Sequence, residues 1–176
     1  MRHTQSPSFP TLALLAAVLL YAAAVSPPPA FAQQRGKATV CGDPTMRCRT
    51  GDIKFPPHNL PFNIPRRAVI WETEPFYAII LKSMRVADEF GECERFISEE
   101  ERLEAQALFP RNKVFTSRCT EPGDLYYTNT DPLYRFMAVY AGRTRLEADQ
   151  FLVKVKATGK YRGANVRQMR AGFNAT

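Results

Sequence analysis

Phe136-Met137-Ala138-Val139-Tyr140-Ala141-Gly142-Arg143-Thr144-Arg145-Leu146-Glu147 is the stretch whose reading decides the fold. Its first five residues are apolar and bulky, as in a buried strand, and a glycine-containing turn follows them. Thr144 with Glu147 three residues on makes a capping box: the hydroxyl accepts from an orphan amide while the carboxylate reaches back to another. A helix therefore starts near Thr144. Ala148, Phe151, Leu152 and Val155 recur at helical spacing and share one face, whereas Lys154 and Lys156 point elsewhere. Gly159 stops the helix, and the segment around Ala164-Asn165-Val166, ending at Met169, returns as a strand. Such a strand-helix-strand unit cannot complete its own sheet.

A second unit of the same order lies upstream. Phe76 to Lys82 is aromatic and β-branched, as a buried strand requires. Met84 to Phe96 is acidic and irregular and reads as an insertion loop. Ser98 with Glu101 forms another capping box, Leu103, Ala107 and Leu108 lie along one side of the helix it opens, and Pro110 ends that helix. Lys113 to Arg118 is the next strand; Pro122-Gly123-Asp124 marks a turn, and Leu125 to Tyr127 a short extra strand. Both helices contain Arg-Leu-Glu-Ala, at Arg102 to Ala105 and Arg145 to Ala148. Two such units in tandem predict an α+β domain of ferredoxin-like β-α-β-β-α-β order, a four-stranded antiparallel sheet with two helices on one face.

Residues 1–32 read as an export signal: Arg2 and His3, a 14-residue apolar run from Leu12 to Val25, then Ala30-Phe31-Ala32. The run is shorter than the roughly 18 residues a membrane span needs, so no transmembrane segment is expected after cleavage. Residues 33–68 form an extended N-terminal segment, with Pro56, Pro57, Pro61 and Pro65 blocking helix and central strand while Leu60, Phe62 and Ile64 alternate. Ala68 to Trp71 reads as a short strand, and 69–176 is the α+β domain. All four cysteines, Cys41, Cys48, Cys93 and Cys119, lie in the exported part. An even count in an oxidising compartment argues for two disulfides; three pairings are open, of which Cys41–Cys48 and Cys93–Cys119 are favoured. With one histidine, His58, in the exported part and no C-x-x-C pair, no metal is expected.

The C-terminal unit resembles the SPOR domain, the sporulation-related repeat of bacterial envelope proteins, best over residues 134–173. Met137 and Val139, then Ala148, Leu152 and Gly159, then Gly163-Ala164-Asn165-Val166 fall in that family's order of strand, turn, helix, glycine and strand. Over 76–118 the likeness is weaker, because residues 83–97 interrupt a turn that the family keeps short. The resemblance implies a βαββαβ domain in the envelope that binds peptidoglycan glycan strands stripped of stem peptides.

Alternation places the residues of such a site. With Met137 and Val139 toward the helices, Phe136, Ala138 and Tyr140 face the other side, together with Phe76, Ala78, Ile80 and Lys82. Phe136 and Tyr140 are placed to stack on sugar rings, with Lys82, Arg118, Arg167 or Gln168 hydrogen-bonding around them. The competing expectation is that residues 55–65 or Trp71 cover this apolar face, which removes the sheet as a ligand site.

The charge is uneven. Residues 33–176 carry a net +6, of which Tyr134 to the end contributes +7 and 33–133 contributes −1. A basic C-terminal half suggests an anionic partner. No nucleophile motif, phosphate loop or cofactor signature is present, so neither catalysis nor a cofactor is expected, and no nucleic-acid partner is. Asn174-Ala175-Thr176 fits a glycosylation acceptor. Two functions follow as expectations: an exported, periplasmic or extracellular, non-catalytic protein binding peptidoglycan glycan, or an interaction module with a self-capped sheet whose basic face docks an acidic envelope partner.

Overall fold

The structure is a computed structural model that describes residues 38–64, 72–87, 93–119 and 125–173. The export signal, the strand read at 68–71, Trp71, the turn at 122–124, the acceptor at 174–176 and part of the insertion loop lie outside these residues. Ten elements follow in order: β1 Thr39–Val40, β2 Phe62–Asn63, β3 Phe76–Arg85, α1 Glu99–Leu108, β4 Val114–Thr116, β5 Leu125–Tyr127, β6 Tyr134–Gly142, α2 Arg145–Ala157, β7 Asn165–Met169 and β8 Ala171–Phe173. The fold is α+β, with a four-stranded antiparallel sheet in the order β4-β6-β3-β7. Two small antiparallel pairs, β1–β2 and β5–β8, lie apart from it.

The local signals explain where the helices begin. Thr144 and Glu147 form both halves of the capping box of α2, and Ser98 accepts from the Glu101 amide at the start of α1. Gly159, at φ 71°, follows the end of α2, a conformation that favours glycine.

One side of the sheet carries Ile79, Leu81, Val114, Met137, Val139 and Ala141, packed against Ala105 and Phe109 of the α1 region and Ala148, Phe151, Leu152 and Val155 of α2. The two helices thus bury their inner residues in one cluster. Their stripes differ, however. The expected apolar side of α1, Leu103, Ala107 and Leu108, is exposed, and the buried pair is Arg102 and Ala105. Arg102 reaches inward because its guanidinium is satisfied there: Nε and Nη2 donate to the two Glu99 carboxylate oxygens at 2.9 and 2.6 Å, and Nη1 to the Val114 carbonyl at 3.1 Å.

The opposite side is covered. Phe76, Ala78, Phe115, Phe136, Ala138 and Met169 pack against Leu60 and Phe62 of the proline-rich segment, Leu125 and Tyr127 of β5, and Ala171 of β8. Backbone bonds tie the segment to the sheet edge, from Lys113 N to Gly42 O at 2.7 Å and from Thr116 N to His58 O at 2.9 Å. Tyr127 completes the closure by accepting from Leu60 N at 3.2 Å. The cover therefore hides both an apolar face and an unpaired strand edge.

The disulfides are Cys41–Cys48 within the covering segment and Cys93–Cys119, which joins the approach to α1 to the chain beyond β4. They fit an oxidising compartment. No helix among the described residues is long and apolar enough to cross a membrane.

Candidate functional site

The cover leaves one end of the second sheet face open, where β3, β6 and β7 run past the β5–β8 pair. A cleft of 220 Å³ lies there. Ile80 and Phe136 line its apolar part, Tyr134 stands beside them 41% exposed, and Ser83, Asn165 and Arg167 contribute polar groups from the sheet. The turn Asn129-Thr130-Asp131 supplies the remaining wall.

Register explains why these side chains converge. Ile80 pairs with Asn165 across β3–β7 and Ala78 with Arg167, so Ile80, Asn165 and Arg167 share a face. Ser83 pairs with Phe136 across β3–β6 on that same face. The turn is braced from within: Thr130 Oγ1 donates to the Tyr127 carbonyl at 2.7 Å, and Asp131 Oδ1 accepts from Leu133 N at 2.9 Å. Asn129 holds a left-handed φ of 58° while its Nδ2 donates to the Gln168 carbonyl at 3.0 Å. Its own carbonyl lies 3.5 Å from Arg167 Nη1, leaving this guanidinium loosely held at the mouth. Two other depressions, beside α2 and along the proline-rich segment, are more open to solvent.

The six candidate residues separate. Phe136 and Arg167 meet in the cleft. Phe136 is only 4% exposed, because its ring packs against Tyr127 and Phe115 at centroid separations of 5.6 and 6.2 Å. Tyr140 faces the covered side, half-buried against Phe76, and a side chain on Gly42 would run into its ring. Burial raises the Tyr140 phenol pKa. Lys82 leaves the face that simple alternation assigns to it. Between Ile80 and Lys82 the register with β6 slips by one residue, so Lys82 pairs with Met137 and turns to the helix side, where it bonds Glu101 at 2.8 Å. Gln168 is also on the helix side, donating to the Tyr77 hydroxyl at 3.2 Å. Arg118 lies over the Phe96 ring, 3.8 Å from its centroid, and burial lowers its pKa.

Sequence reasoning missed Ser83, Asn129, Asp131, Tyr134 and Asn165. Ser83 and Asn165 carry a signal in their strand positions once the register is known; the 129–131 turn has none, because its place depends on β5 pairing with β8. Chemically, an apolar floor, an aromatic flank, amide and hydroxyl groups, a carboxylate and a guanidinium suit one ring-sized, hydroxyl-bearing molecule with an acidic substituent. No protein-family model, curated protein or solved structure matches the chain.

Proposed function

We propose that this chain is an exported, non-catalytic binding protein of the bacterial envelope, built on a ferredoxin-like βαββαβ, SPOR-like frame, that takes a peptidoglycan glycan at the cleft beside Tyr134 and Arg167. The frame reading is supported by the strand order β4-β6-β3-β7 together with α1 between β3 and β4 and α2 between β6 and β7. The observation that carries the function is that the open end of the second sheet face combines Tyr134, the Phe136 edge, Asn165 and Arg167 around 220 Å³. A glycan is held there locally, one sugar residue deep, rather than along the whole sheet. The test is binding to purified sacculi with and without amidase digestion. Binding to the digested form, weakened about tenfold or more by Tyr134→Ala or Arg167→Ala and not by Lys82→Ala, supports the reading. Equal failure to bind both forms removes it.

A second reading, an interaction module whose basic C-terminal face docks an acidic partner, draws on a different observation. Most of the second sheet face is filled by the chain's own segment, and Lys154 and Lys156 are exposed and take part in no ion pair between described residues.

A further inference from the structure

Helix α2 is apolar on two sides. Ala148, Phe151, Leu152 and Val155 pack inward. At 100° per residue, Leu146, Gln150, Val153 and Ala157 form a line on the opposite side, all four exposed. Leu146 and Val153 are 68% and 69% exposed, more than Leu103 and Leu108 on α1 at 53% and 46%. The 4-3-4 spacing is that of a two-helix seam, with Leu146 and Val153 at d and Gln150 and Ala157 at a. The flanking e and g positions are then Glu147, Lys154, Asp149 and Lys156.

The acids among these are already engaged. Glu147 accepts from the amides of Arg143 and Thr144, and Asp149 pairs with Arg145 at 2.9 Å. On the neighbouring helix Glu99, Glu101 and Glu104 are paired with Arg102, Lys82 and Lys160. Lys154 and Lys156 remain as the cations flanking an outward apolar seam. A second copy of α2 would offer these cations only Glu147 and Asp149, both already engaged within their own helix, and two aliphatic side chains make a poor membrane anchor.

We propose that the outer face of α2 docks an acidic amphipathic helix of a partner protein, its apolar side on Leu146 and Val153 and its carboxylates against Lys154 and Lys156. This rests on the second reading above and narrows it to one seam. Ala157 lets the partner backbone come close at one end, and Gln150 fixes register.

The test uses the disulfide-intact protein and three labelled peptides followed by fluorescence anisotropy: a helix of roughly three heptads with Leu at a and d and Glu at e and g, the same helix with Lys at e and g, and a flexible polyglutamate of equal charge. The Glu helix is expected to bind best. Leu146→Glu or Val153→Glu should weaken it about tenfold or more, and Lys154→Glu with Lys156→Glu should transfer preference to the Lys helix, with circular dichroism unchanged because all four sites are exposed. Polyglutamate binding as well as the Glu helix, or binding lost on Arg162→Glu and kept in the seam variants, overturns the seam and leaves the basic-face reading standing. Failure of both acidic peptides overturns both. Seam variants that change only self-association in sedimentation, or only binding to vesicles rich in anionic lipid, overturn the protein-helix partner.

Discussion

Lys113 begins the chain's approach to β4, and its ammonium donates to the Pro57 carbonyl of the covering segment at 2.7 Å. Burial, with the Arg102 charge nearby, lowers its pKa to about 8 from the ordinary 10.5. Between those values the unfolded chain holds a proton that the folded chain has released, so stability rises with pH across the window. The gain is on the order of 1 kcal/mol once solvent screening is allowed for. Tyr127 acts the other way: burial raises its phenol pKa, so above about pH 10 ionisation favours the unfolded chain. Urea midpoints should climb from pH 8 toward 10 and fall beyond it, and Lys113→Met should flatten the climb. At the acid end, the Arg102 hydrogen bonds hold the Glu99 carboxyl below its usual pKa. That contribution is full above about pH 4.5 and is lost as pH falls through the lowered value. Glu99→Gln at pH 7 should cost about 2–3 kcal/mol in chemical denaturation, because it strands a buried guanidinium. Arg102 was illegible in the sequence, since an apolar-stripe reading counts arginine as surface.

Elements were legible where local chemistry fixes them and misleading where a neighbour decides. The caps at Ser98 and Thr144 placed both helix starts correctly, and alternation in Phe136–Tyr140 assigned the two faces of β6. In α1 helical spacing assigns the leucines to the apolar side, yet Leu103 and Leu108 lie outside because the small Ala105 and the paired Arg102 fit against the sheet. In β3 a one-residue bulge, set by β6, sent Lys82 to the helix side. The covering segment behaves as an element although it has little regular structure. Leu60 and Phe62 are fully buried in it. Phe62→Ala should therefore cost about 3–5 kcal/mol by urea denaturation, whereas Leu103→Ala on the exposed side of α1 should change stability by less than about 0.5 kcal/mol.

Across the whole molecule, one non-local event governs which part of the sheet stays open. The α+β class and the two helices followed from patterns within short stretches, whereas the cysteines left three pairings open, of which the favoured one, Cys41–Cys48 with Cys93–Cys119, is present. The cover joins residues 38–64 with β5 and β8 from later in the chain, and no stretch on its own shows that Leu60 meets Tyr127 or that Thr130 and Asn165 line one cleft. Candidate residues chosen by face alone were scattered for that reason: Tyr140 lies under Gly42, while Arg167 remains at the open end. The open part of that sheet face is thereby confined to the margin that the cover leaves. The most direct measurement is an amide NMR titration of the disulfide-intact protein with peptide-free glycan fragments. Shifts at Ser83, Asn129, Tyr134, Asn165 and Arg167, with Ala78, Phe115 and Ala138 unmoved, are the expected result; shifts spread along β4 and the covering segment, or none at millimolar glycan, would contradict it.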